Sequence, residues 1–256
     1  MNQTQRRRYL MDALLKENRK YVNMQIPAGE AEQKQLLRAL MNVRFASPIT
    51  EEFAAVQDEY LKEANAAKGY ITLLDMEERQ PDIYLWQGDI TRLKVGAIVN
   101  AANSGMTGCY QPCHNCIDNC IHTYAGIQLR NYCAELMREQ GCEEPTGQAK
   151  ITPGFNLPCD YVIHTVGPIV QGELTARHEK MLRSCYEACL RIADENNVES
   201  IAFCCISTGV FMFPGKRAAE IAVQTVKDYK QAAGSAIKVI FNVFKDADLE
   251  IYKELL

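Results

Sequence analysis

No run of the 256-residue sequence approaches the ~18 uninterrupted apolar residues of a membrane span, and no internal repeat or low-complexity segment is present. A basic surplus is also missing. The net charge of −4 argues against broad nucleic-acid binding, which wants a basic footprint. At the amino terminus Arg6, Arg7 and Arg8 are followed by Asp12, Lys16 and Glu17, which interrupt the apolar run, so no signal-peptide core can be drawn there. The expectation is a cytoplasmic protein with neither membrane nor nucleic acid as partner. With 47% hydrophobic and 23% charged residues, the chain belongs with folded globular proteins and not with disordered, collagenous or coiled-coil ones. A chain of this length buries roughly 70–75% of its unfolded surface, so it needs no disulfide or metal simply to fold.

What is plentiful is cysteine. There are eleven, an odd number, and in a reducing compartment thiols serve as small buried hydrophobes, metal ligands or nucleophiles. Five of them fall between Cys109 and Cys133, denser than burial alone explains.

Residues 1–70 read as a helical extension. Leu10, Leu14 and Leu15 have helical spacing, as do Leu36, Leu37, Leu40 and Met41; Thr50 can cap a third helix that Gly69 closes. From 71 to 256 short apolar runs alternate with helical patterns. The strand candidates are 83–87, 97–100, 149–152, 161–166, 200–206 and 237–244, and the helix candidates are Asp118 to Gln140, Ala176 to Asn196 and Pro214 to Ala233. This alternation predicts an α/β sheet covered on both faces, with ligands bound where loops leave the carboxyl ends of strands.

Four loops carry the candidate chemistry. In Gly88-Asp89-Ile90-Thr91, Asp89 can accept from an amine donor such as an adenine amino group, or simply cap its own turn. In Asn100-Ala101-Ala102-Asn103, two amides flank a small-residue gap; Asn103 is the candidate for a sugar hydroxyl, while loop backbone is the competing use. Between Cys109 and Cys116 the thiols and imidazole are the donor set zinc prefers, with Cys109, His114 and Cys116 as ligands and Cys113 spare, a fourth ligand being the alternative. Three ligands leave a coordination position open, the mark of a functional zinc. Cys113-x-x-Cys116 also reads as a redox pair, although it lies deep in a loop instead of opening a helix after a strand. Asp118 follows, either as a cap or first-turn charge of its helix, or as a carboxylate facing the metal-bound group as general base. His122 fits a structural role one turn later. The fourth loop, Ser207-Thr208-Gly209-Val210-Phe211 ahead of Pro214, offers successive amides beside a helix start, a natural phosphate cradle. The lack of a Walker lysine and of G-x-G-x-x-G spacing argues against triphosphate hydrolysis and a dinucleotide Rossmann site. Phe244 ends the last strand, where it stacks on a purine or joins the core. A molecule with adenine, a diphosphate and a second ribose would use every one of these loops, and ADP-ribose is such a molecule.

GDIT, NAAN, CIDNCIHTYAG, ISTGVFMFP and the VFK near the end follow one another as in the macrodomain family, over roughly residues 70–256. The GC-x-x-x-x-H-x-C loop resembles that of the zinc-containing macrodomains, protein ADP-ribosyl hydrolases often encoded beside a sirtuin-type ADP-ribosyltransferase in microbial pathogens. The resemblance implies a three-layer α/β/α fold with a mixed sheet and one Zn²⁺ on Cys109, His114 and Cys116. It places Asp89 and Ile90 near adenine with Phe244 stacked on it, Ser207 to Phe211 at the diphosphate, and Asn103 and Asp118 as catalytic groups at the distal ribose. The implied activity is removal of mono-ADP-ribose from proteins, with an ester to Asp or Glu as the bond cut; the alternative is a non-catalytic reader with a structural zinc. Asn119 stands where many relatives have Gly, and is expected to narrow the pocket.

Overall fold

A computed structural model describes residues 1–256. Three helices come first, α1 (Gln3–Glu17), α2 (Glu30–Val43) and α3 (Glu51–Ala67). Asn2 opens α1 in a reciprocal capping box with Gln5, and Thr50 caps α3 by accepting from the Phe53 N–H. Their apolar faces meet in a cluster of their own, built on residues such as Leu10, Leu14, Leu37, Leu40, Phe53 and Leu61, to which Ile127 is added from further along the chain.

The rest of the chain runs β1 (Glu77–Gln80), β2 (Ile83–Gln87), β3 (Ala97–Ala102), α4 (Ile117–Ala125), α5 (Ile127–Gln140), β4 (Ala149–Pro153), β5 (Tyr161–Val166), α6 (Ala176–Glu195), β6 (Ser200–Phe203), α7 (Gly215–Ala233), β7 (Lys238–Val243) and α8 (Asp246–Leu255). One mixed sheet has the order β1-β2-β7-β6-β3-β5-β4. The five inner strands are parallel, and β1 and β4 close the edges antiparallel. Strands β5, β6 and β7 bury consecutive residues instead of alternate ones, because helices cover both faces of a parallel sheet. No helix is long and apolar enough to cross a membrane.

The sequence reading differs from this architecture in a few places. The single helix expected from Asp118 to Gln140 is two, α4 and α5, broken at Gly126. That residue has φ +102°, and a Cβ on it would fall 2.8 Å from the side chains of Gln57 and Gln128. The strand expected to reach Ile206 ends at Phe203, because the chain turns there into a loop. Strand β1, with sequence EERQ, and helix α8 were not anticipated; β1 is a half-exposed edge strand with no apolar run to reveal it.

The α5 residue Arg130 joins the helical cluster to the sheet. Its buried guanidinium donates to the carbonyls of Met41 (3.0 Å), Asn42 (2.7 Å) and Arg44 (2.6 Å) at the end of α2, and to those of Thr107 (2.8 Å) and Cys109 (3.4 Å) beyond β3. Five carbonyls from two distant segments share one cation. Arg130→Met should lower unfolding free energy by about 3 kcal/mol or more, because it strips buried acceptors of a charged donor. Denaturant melts of the two proteins measure the difference.

Candidate functional site

Because β2, β7, β6 and β3 run parallel, their carboxyl ends share one edge of the sheet, and the loops that leave them stand side by side in that order. Neighbouring strands lie about 4.8 Å apart, so the row spans roughly 14 Å.

At the β2 and β7 end the two strand ends are tied together. Gly88 N–H donates to Val243 O (2.9 Å), and the Asn242 amide donates to Gly88 O (3.1 Å). Asp89 caps a short 3-10 turn, accepting from the N–H (3.0 Å) and hydroxyl (2.7 Å) of Thr91. Ile90 is buried, which leaves its main chain for any ligand. Phe244 is 75% exposed and so is not core. Lys68, at the end of α3, lies 3.8 Å from Asp89 with its ammonium over the Tyr124 ring. Burial pushes that ammonium down to about 8, against the pull of Asp89. The sequence reading missed Lys68, since nothing local in the chain ties the end of α3 to the β2 loop.

Next in the row is the β6 loop. Ser207 and Met212 adopt left-handed backbone, with φ of +65° and +58°. Met212 N–H closes on Gly209 O (3.0 Å) and Phe213 N–H on Ser207 O (3.0 Å), while Thr208 is tied back to Cys205 through its hydroxyl (3.0 Å). Between these ties the N–H groups of Gly209, Val210 and Phe211 donate to no acceptor in the protein. Three successive free amides are what an anion-binding loop offers. Ser207 itself is buried and holds the bend.

The β3 end carries the densest polar network. Asp118 lies in the first turn of α4, but Cys116 and not Asp118 is the helix cap, accepting from Asn119 N–H through sulfur at 3.4 Å. The Asp118 carboxylate accepts at Oδ1 from Asn100 (2.8 Å) and at Oδ2 from Asn103 (3.1 Å). Burial raises its pKa to about 6, and the bonds from Asn100 and Asn103 and the charge of Arg130 oppose that rise. Asn103 also donates to Gly108 O (3.2 Å) and accepts from Gly105 N–H (3.0 Å), so loop backbone and Asp118 share its amide. Asn100 is fully buried and was not among the expected catalytic groups, although it begins the same NAAN run. The ring of His122 stands 3.6 Å from Asp118 and packs against Gly108, where a Cβ would come within 2.8 Å of the imidazole. Burial first, then His164 and Arg130, hold His122 well below the ordinary imidazole range.

Immediately before α4, the ligand atoms of Cys109, His114 and Cys116 lie within 4.8 Å of one another, with Cys109 Sγ 3.6 Å from His114 Nδ1. Cys113 has φ +53° and faces the other way: its N–H donates to Asn42 Oδ1 (2.9 Å) and its thiol meets Gln35 O (3.5 Å), both on α2. It is therefore apart from the cluster of the other three, and Cys113 and Cys116 are both free thiols. Burial pushes the Cys116 thiol up to about 12, against the Asn119 N–H, so it becomes a thiolate only beside a cation. Two sulfurs and an imidazole at this spacing suit a borderline-soft divalent metal.

This loop is held from behind by the helical extension. Arg38 donates to His114 O (2.7 Å) and Asn119 Oδ1 (3.1 Å), and Asn42 donates to Thr123 (2.9 Å). Asn119 was expected to narrow the pocket. It is instead fully buried, with its amide donating to Gln111 O (2.9 Å) and Cys109 O (3.3 Å), so it fastens the loop.

A model of the Macro domain matches residues 99–222. A protein-ADP-ribose hydrolase from Treponema medium is 58% identical over 260 residues, covering 100% of both chains. One from Staphylococcus aureus (strain MSSA476) is 47% identical over 251 residues, 96% of this chain and 93% of that one. The crystal structure of a Trypanosoma brucei macrodomain in complex with ADP-ribose superposes with a TM-score of 0.67 at 28% identity, over 82% of this chain and 92% of that one. With full-length identity at this level and the same architecture, the chain belongs to the macrodomain family.

Proposed function

We propose that this protein is a zinc-dependent protein-ADP-ribose hydrolase that releases mono-ADP-ribose from an ester to an aspartate or glutamate side chain. The observation that carries this reading is Asp118, oriented by Asn100 and Asn103 at one end of a row whose other end presents Asp89 and the open ring of Phe244. Its support from relatives is the name carried by the Treponema and Staphylococcus proteins and the ADP-ribose bound by the Trypanosoma one. In this reading residues 71–256 are the macrodomain and residues 1–70 a helical extension that braces its metal loop.

Adenine stacks on Phe244 and donates to Asp89, the diphosphate sits on the amides of Gly209 to Phe211, and the distal ribose reaches Asn103 and Asp118. Cys109, His114 and Cys116 would hold the zinc, which when bound would polarise a substrate oxygen at the distal ribose. Both Asp118 oxygens already accept from amides that fix their direction. The carboxylate keeps lone pairs free to orient the attacking water and accept its proton. The bond from ribose to the acyl oxygen is an ester. Its leaving carboxylate needs no protonation, which suits a site with one carboxylate bonded into the row. Binding energy from adenine and diphosphate, remote from that bond, goes into positioning it. A sirtuin-type ADP-ribosyltransferase is the kind of enzyme that would install the modification this activity removes.

Metal content separates the cysteines. Elemental analysis should find one equivalent of zinc in the parent and in Cys113→Ser, and none in Cys109→Ser or His114→Ala.

Single-turnover release of free ADP-ribose from an automodified carrier tests the chemistry. Asp118→Asn and Cys116→Ala should each slow it by about a hundredfold or more. A parent that binds ADP-ribose and releases none would instead be a reader.

Phe244→Ala should leave thermal stability unchanged, because the ring is exposed, and weaken ADP-ribose binding about tenfold in calorimetry.

A further inference from the structure

Beneath Asp118 lies a second, buried set of groups that this mechanism does not use. His122, Cys133 and His164 bring their ligand atoms within 4.8 Å of one another, and both nitrogens of His122 lack a hydrogen-bond partner. On composition alone this is a second metal site. The hydrogen bonds around His164 give it a different use.

His164 sits on β5 directly opposite Asn100 on β3, and β4 flanks it on the other side. Asn100 Nδ2 lies 2.8 Å from Asp118 Oδ1 and 3.1 Å from His164 Nδ1. An amide nitrogen is donor only, so one proton goes to the carboxylate and the other to the lone pair of Nδ1. The ring proton must then be on Nε2, and that atom meets Thr152 Oγ1 at 3.0 Å. The Thr152 hydroxyl is itself 3.3 Å from Val162 O, to which it donates. In this tautomer Nε2 offers no lone pair, so the hydrogen-bond chain and a metal on this trio are mutually exclusive uses of His164.

A single chain of hydrogen bonds thus runs across three neighbouring strands, from Thr152 through His164 and Asn100 to Asp118. Its geometry matters because the Asn100 amide has two orientations related by a half-turn. In the other one, Oδ1 would face both the carboxylate and Nδ1. The Asp118 carboxylate opposes it, and so does the Nδ1 lone pair for as long as Thr152 holds the ring proton on Nε2. Full burial keeps the imidazole neutral, its pKa lowered to about 3, and so keeps that lone pair available.

Resting on the role given to Asp118 above, we infer that His164 and Thr152 are positioning residues for hydrolysis, fixing the tautomer and amide orientation that aim Asn100 at Asp118. Neither touches the substrate. Thr152→Val keeps the shape and removes the hydroxyl, leaving the imidazole free to move its proton; Thr152→Ser restores the hydroxyl.

The experiment pairs ring ¹⁵N spectra with single-turnover release and ADP-ribose calorimetry, on metal-loaded full-length protein. In the parent, His164 should be neutral and a single tautomer, with its proton on Nε2. In Thr152→Val the ring should become a tautomer mixture, with displaced signals from the Asn100 side-chain amide. Release should fall about tenfold at unchanged ADP-ribose affinity, with a melting temperature a few degrees lower but full folding at assay temperature, and Thr152→Ser should recover most of both. His164→Phe, which removes the acceptor outright, should lose more rate than Thr152→Val. A proton on Nδ1, or a second equivalent of zinc that abolishes the Nε2–H signal, would overturn the inference. So would parental release by Thr152→Val, or a rate loss matched by an equal loss of ADP-ribose affinity. If the parent binds ADP-ribose and releases none, the hydrolytic reading fails, and the ring spectra of parent and Thr152→Val still decide the hydrogen-bond chain.

Discussion

The guanidinium of Arg130 is the point on which the metal loop, the helical extension and the polar network converge. It is 4% exposed, and each of its hydrogen bonds goes to a main-chain carbonyl. Carbonyls at 107 and 109 belong to the loop that presents Cys109, and those at 41, 42 and 44 end α2. A buried cation with only neutral acceptors is costly unless it is fully bonded, so the two segments have little freedom to separate. The same charge lies near enough to Asp118 to favour its ionised form against burial. One side chain therefore fixes loop geometry and supports the carboxylate that the loop faces.

That arrangement explains which parts of the molecule can be read along the chain. Parallel inner strands appear as short unbroken apolar runs, and β2 and β5 were read with the bounds the structure has. The four loops at their carboxyl ends follow from the strands. Cys109, His114 and Cys116 lie within eight consecutive residues, so their convergence was legible from spacing alone. The contacts made to that loop by Arg38, Asn42 and Arg130 were not. Their partners are largely main-chain atoms and lie 70 or more residues away for Arg38 and Asn42, and a carbonyl leaves no residue-type signature in a sequence. Strand β1 was hidden because its sequence is polar, and the break at Gly126 because its cause is the side chains of Gln57 and Asn156, supplied from other elements. Asn100 was visible as a residue, but its use depends on a neighbour across the sheet.

Cysteine has two separate uses here. Cys133, Cys159, Cys185, Cys189 and Cys204 are buried in the core around the sheet, where burial raises their thiols far above neutrality and they pack as small hydrophobes. Cys109, Cys113 and Cys116 are only partly buried, on one loop. What separates these three is backbone conformation: the left-handed residue at 113 turns its sulfur toward α2, while extended backbone at the α4 cap leaves Cys116 beside Cys109 and His114. A count of cysteines in the loop says four ligands with His114. The turn leaves three of these donors close together, Cys109, His114 and Cys116.

The order of the strands also constrains what the cleft holds. In β2-β7-β6-β3 the groups along the row are an acceptor carboxylate, an exposed aromatic ring, three free amides and then the carboxylate–amide network beside the thiols. In the proposed function, the ligand that uses the whole row presents a ring with an amine at one end, anionic oxygens in the middle and hydroxyls at the other, over roughly 14 Å. A mononucleotide would fill the first two positions and leave Asp118 untouched. A free sugar would reach Asp118 without any of the remote contacts that hold it against the carboxylate. Only a ligand spanning the whole row turns contacts at Phe244 and Gly209 into orientation at Asp118. Because the sheet is one hydrogen-bonded unit from β2 to β5, strand spacing fixes how far apart the loops that carry those groups begin.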